Sequence, residues 1–85
     1  MSDNVIHWEE GRFVWGGVLW QWWIGWSEKP TKSGLRHGQI QSLQIKCGET
    51  WVCSYNKEWI IKPIGREARK VCGFLTKMYR FKKGD

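Results

Sequence analysis

Few side chains in this 85-residue sequence stand where they could do covalent chemistry. His7 and His37 are isolated, and neither has a Cys or Asp nearby at metal-ligand spacing. Glu9 and Glu10 are adjacent, so they do not form an acid–base pair flanking a substrate. Gly16-Gly17 lacks the Lys-Ser/Thr and the helix that would make it a phosphate-binding loop. The three cysteines, Cys47, Cys53 and Cys72, are odd in number and form no CxxC pair. That pattern fits reduced thiols in a cytoplasmic protein better than a disulfide framework or a zinc knuckle. No catalytic, metal or cofactor site is expected, and the chain is read as non-enzymatic.

The chemistry that the sequence does support is electrostatic. Net charge is +6, unevenly placed. Residues 1–30 carry four acids and two bases, whereas residues 31–85 carry twelve bases and four acids. Arg66, Arg69, Lys70, Lys77 and Arg80 recur at a spacing that puts them in one arc of a helix, and Lys82 and Lys83 extend the positive end. Stripes of Lys and Arg bind phosphate backbones. Gly73 lies within the stripe and leaves a bare spot where a backbone could approach. Lys32 and Arg36, in a loop over residues 27–39, are further candidates. The plain alternative is a solvated helix face, since Lys and Arg are good helix formers. Ordinary solvated faces mix signs, however, and Glu67 is the only acid in this segment.

Tryptophan is the second resource. There are eight, four of them within VLWQWWIGW, residues 18–26. That stretch is too short and too interrupted by Gln21 to span a membrane, which takes roughly 20 apolar residues. On a strand, Val18, Trp20, Trp22, Ile24 and Trp26 share one face, and Leu19, Gln21, Trp23 and Gly25 the other. The wholly apolar face is the expected core face, and Trp23 is the one large residue opposite. Trp8, Trp15 and Trp23 are the candidates for exposed contact with a protein partner, because Trp and Arg dominate interface hot spots.

The elements that must position these residues follow from periodicity. One domain over residues 1–85 is expected, beginning with a loose lead-in over 1–11. A β-meander of four to five strands occupies 12–62. Phe13-Val14-Trp15 and the tryptophan run, split by Gly16-Gly17, predict a tight hairpin. Ser27 to Gln39 reads as a loop, with Pro30, Gly34 and Gly38. Strands follow over Ile40 to Cys47, Trp51 to Tyr55 and Glu58 to Lys62, with turns at Cys47-Gly48-Glu49-Thr50 and Asn56-Lys57, before Pro63 closes the meander. From 64 to 81, Ala68, Val71, Cys72, Leu75, Met78 and Tyr79 predict the apolar side of an amphipathic helix. Residues 82–85 form a basic tail.

The expected fold is therefore α+β: a small antiparallel sheet packed by one C-terminal helix. The expected core is Val18, Trp20, Trp22, Ile24, Trp51, Trp59, Ile61, Val71 and Leu75. The favoured function is a small nucleic-acid-binding module acting through the cationic helix face. The alternative is a protein-binding adaptor or inhibitor, of the compact kind that mobile genetic elements encode. A membrane-surface role fits poorly, because the helix's apolar side is needed for the core. A Trp-rich sheet edge also offers a route to a homodimer.

Overall fold

The computed structural model describes residues 5–79, the His37 side chain excepted. Five strands, β1 (Ile6–Trp15), β2 (Val18–Ser27), β3 (Ile40–Cys47), β4 (Thr50–Asn56) and β5 (Trp59–Ile61), form one antiparallel sheet in sequential order. Helix α1 (Gly65–Met78) packs on one face. This is the small α+β meander that the sequence predicts.

Local chemistry explains the turns. Gly16 and Gly17 both take positive φ, 64° and 75°, as a two-residue turn between twisted strands requires. Trp15 and Val18 face each other across it. The last turn differs from expectation. β4 runs through Asn56, and it is Lys57 that takes φ 65°, so the turn is Lys57-Glu58.

The lead-in over residues 1–11 is also corrected: β1 begins at Ile6. His7, Glu9 and Gly11 stand on the helix side of the sheet, opposite Trp26, Ile24 and Trp22. Their polarity hid the strand. Trp22 lies flat against Gly11, and Trp8 covers Gly25 from the other side, so two cross-strand Gly–Trp pairs brace the hairpin.

The core lies between α1 and the sheet. Ile24, Leu43, Ile45 and Leu75 are fully buried, each contributing roughly 1.5–3 kcal/mol. Trp20, Trp26, Val71, Cys72 and Tyr79 complete it. Five residues expected in the core are not buried. Val18 is exposed because the β1–β2 hairpin extends past the helix, which sits over β3 and β4. Trp22 is half-buried against Gly11 and Tyr79. Trp51 is exposed because a β-bulge intervenes: Cys53 pairs with Ile45 but Trp51 pairs with Lys46, which turns Trp51 to the opposite face. Trp59 is exposed on the short edge strand, and Ile61 is half-buried beside it. On α1, Met78 is exposed rather than buried.

Among the described residues no helix is long and apolar enough to cross a membrane.

Candidate nucleic-acid interface

The loop over residues 28–39 is built, not slack. Ser27 is wholly buried, and its hydroxyl donates to the Lys29 carbonyl at 2.7 Å. The Gln39 amide donates to the Ser27 carbonyl at 3.0 Å, and the Gln41 amide donates to the Ser27 hydroxyl at 3.0 Å. Thr31 donates to Gln41 at 2.8 Å, and the Tyr55 hydroxyl donates to the Ser33 carbonyl at 2.7 Å. With its buried polar groups satisfied in this way, the loop is fixed against the sheet. Leu35 is thereby plugged into the core, and Arg36 is presented outward beside α1.

Arg36 sits at the centre of a groove. Its backbone is left-handed, φ 55° and ψ 36°, a conformation that costs a non-glycine residue about 1–2 kcal/mol. Three adjoining cavities of about 310, 400 and 530 Å³ each include Arg36 in their walls. The first adds Lys77 and Tyr79, the second Trp59, Lys62 and Arg69, and the third Lys32, Glu58 and Trp59. Gly73 and Thr76 border the first two, and Gly73 has open space where a side chain would stand. Five cations thus line the groove against one acid, Glu58. Among the described residues none of these cations is ion-paired; the one salt bridge there joins His7 to Glu28 at 3.1 Å. Unneutralised cations around a concave surface focus positive potential.

The groove gathers four of the expected phosphate-binding residues, Lys32, Arg36, Arg69 and Lys77. Arg66 and Lys70 are exposed on α1 but do not border it. Helix α1 ends at Met78; Arg80, Lys82 and Lys83, with the last two positions of the helix expected over 64–81 and the tail, lie outside the described residues. Sequence reasoning missed Lys62, which follows β5 just before Pro63, and mistook Trp59 for core. An apolar residue on a three-residue edge strand carries no periodicity that would reveal its side.

Behind the groove lie two thiols. Cys53 on β4 and Cys72 on α1 are buried, and their thiols influence each other's ionisation. The Cys53 thiol as a donor favours the Cys72 thiolate and, with Thr76 and then the Arg36 charge, outweighs burial to bring Cys72 down to about 7. The Cys72 sulfur as its acceptor, and then burial, hold Cys53 well above the usual thiol range.

The candidate protein-contact tryptophans do not form one patch. Trp8 and Trp23 are on the sheet face opposite α1, where Trp23 meets Trp51 at 5.4 Å between ring centroids. Lys46 places its ammonium 5.4 Å from the Trp51 ring. Trp15 is on the helix side, 5.7 Å from Trp20 near the hairpin end. Trp8, Trp15 and Trp51 are exposed, whereas Trp23 is half-buried.

These features define a small α+β domain: a five-stranded meander, one helix, and a cationic groove where helix, loop and edge strand meet. Residues 7–80 match the family described as a domain of unknown function, DUF7678, and the chain belongs to that family. No curated protein and no solved structure matches the chain significantly.

Proposed function

We propose that this protein is a non-enzymatic nucleic-acid-binding module that grips the phosphate backbone in the groove between α1, the 28–39 loop and β5. The supporting observation is Arg36: a polar network and a buried Leu35 hold an arginine in a left-handed conformation that glycine would adopt without strain. Outliers of this kind cluster at binding sites. Here the strained residue carries the charge that links Lys32, Lys62, Arg69 and Lys77 into one cationic surface. Gly73 leaves room for a backbone to approach, and Trp59 at the rim can stack on a base. The free thiols Cys47, Cys53 and Cys72 are in keeping with a cytoplasmic setting, which is part of the proposal.

The test is binding of the full chain to fluorescent duplex and single-stranded oligonucleotides at low and high salt. The expected result is micromolar or tighter binding that falls steeply with salt and weakens on Arg69→Glu or Lys77→Glu. Absence of salt-sensitive binding refutes the proposal. A second reading, a protein partner, is favoured by the Trp23–Trp51 pair with Lys46, which lies on the sheet face away from the groove. It predicts binding that is lost with Trp51→Ala and indifferent to the groove variants.

A further inference from the structure

The two edges of the sheet are treated differently. β5 has three residues and ends before Pro63, which blunts it against pairing with another chain. β1 has ten residues, with no proline and no lysine. Its charges do not block pairing with a matching strand: Glu9 is engaged by Trp26 and Tyr79, and Glu10 and Arg12 are of opposite sign, so this long edge is a template for a complementary strand.

The turn fixes which backbone groups of β1 face outward. In a two-residue hairpin the flanking residues, here Trp15 and Val18, are a hydrogen-bonded pair. Alternating from there, Gly11, Phe13 and Trp15 direct their N–H and C=O groups to β2. Trp8, Glu10, Arg12 and Val14 direct theirs away from it. The side chains of these four residues stand together on the sheet face opposite α1.

Their order is self-complementary. It reads apolar, acid, base, apolar. An antiparallel copy centred on Gly11 sets Trp8 opposite Val14 and Glu10 opposite Arg12, and the two-fold axis repeats both pairs. Val14 and Trp8, 71% and 67% exposed, are the two most exposed large hydrophobic residues among those described. Neither Glu10 nor Arg12 makes an ion pair among the described residues. A shift of the centre to Glu10 or to Arg12 sets like charges opposite each other, which is destabilising. A one-residue slip would direct outward groups against inward ones. Glycine at the axis lets the two backbones meet without side-chain conflict.

We infer that β1 is a dimerisation edge: two copies of this chain pair their first strands antiparallel about a two-fold axis at Gly11, fusing the sheets into one of ten strands. The occupant is a second copy because the strand matches itself in both charge and apolar contact. The inference does not rest on the nucleic-acid reading, since β1 takes no part in the groove.

The register is tested by charge reversal. The full chain is examined by sedimentation velocity across micromolar concentrations, with circular dichroism confirming the fold of each variant. The wild type is expected to dimerise. Glu10→Arg and Arg12→Glu are each expected to weaken dimerisation about tenfold or more, because both symmetry-related pairs become repulsive. Mixing the two single variants restores dimer as a heterodimer, and the double variant restores it as a homodimer. Recovery of the mixed pair also shows that each variant was folded. A monomeric wild type, single variants that dimerise as tightly as the wild type, or a mixture that dimerises no better than either single variant each overturns the inference, the second by pointing to another surface and the third to another register.

Discussion

The Tyr79 hydroxyl donates to the Glu9 carboxylate across 2.6 Å and so ties the end of α1 to the first strand. The Trp26 indole donates to the other Glu9 oxygen at 2.8 Å. The Tyr79 ring lies 6.2 Å from both Trp22 and Trp26. One acidic residue from a polar-looking segment thus becomes a hinge pin for helix, β1 and β2. Tyr79→Phe keeps the ring and removes the donor. A hydrogen bond to a charged group is worth about 1.5–3 kcal/mol, and urea unfolding at neutral pH should show a loss of that size with an unchanged m value.

The same contact sets an alkaline limit. Burial first, and then the neighbouring Glu9 carboxylate, hold the Tyr79 phenol above its ordinary value of 10.0. Below about pH 10 the phenol is protonated in both folded and unfolded chains, and its contribution is fully present. Above that, the unfolded chain releases a proton that the folded chain retains, so stability falls as pH rises toward the folded value. Unfolding midpoints between pH 8 and 11 should therefore drop, and the deficit of Tyr79→Phe relative to wild type should shrink across the same interval. Tyr55, also raised by burial, should leave a residual slope in the variant.

Cys72 should be the pH-sensitive thiol. Its thiol is held near 7 chiefly by the Cys53 thiol, with help from Thr76 and Arg36, and the residue, although buried, borders the groove. Native-state alkylation followed peptide by peptide should give a Cys72 rate profile with a midpoint close to neutrality, while Cys53 stays unreactive. Cys53→Ala should move that midpoint upward toward the ordinary thiol value. An unmoved midpoint would mean that the thiol pair does not set it.

The two cross-strand glycines should differ in their tolerance of a methyl group. A Cβ at Gly25 would stand 2.7 Å from the Trp8 ring, and Trp8 is exposed enough to swing aside. A Cβ at Gly11 would enter the Trp22 indole, which is half-buried against Tyr79 and has less room to yield. Gly11→Ala should cost about 1–3 kcal/mol and Gly25→Ala clearly less, as read from denaturant midpoints.

Where one local rule governs, these features are visible in the sequence alone. Gly16-Gly17 between β-formers is a hairpin, and the Ala68–Leu75 spacing is a helix face packed on a sheet. Prediction fails where a distant partner or one inserted residue decides. Glu9 looks like a loop residue until Trp26 and Tyr79 supply its donors. The bulge beside Val52 reverses Trp51 although the alternation of Trp51, Cys53 and Tyr55 looks regular. The groove was half visible: the helical period aligns Arg69, Gly73 and Lys77, but nothing local places Arg36 against them. Only the buried Ser27–Gln41 network does that, and its members read as ordinary loop and strand polars.

Arg36 and Lys57 form a matched pair for separating strain from function. Both hold positive φ, 55° and 65°, and both are exposed, yet only Arg36 borders the groove. Glycine relieves the left-handed strain at either position but adds chain entropy to the unfolded state. Stability should therefore be unchanged or rise by up to about 1 kcal/mol in both variants. Nucleic-acid affinity should fall only in Arg36→Gly, and the slope of log K against log salt should decrease by about 0.7–0.9 for one lost phosphate contact. Lys57→Gly carries the same loss of formal charge, so a purely global charge effect would weaken both variants equally. Equal weakening, or none in Arg36→Gly, would remove Arg36 from the interface. A selective loss at undiminished stability would show that the strained arginine serves binding rather than folding.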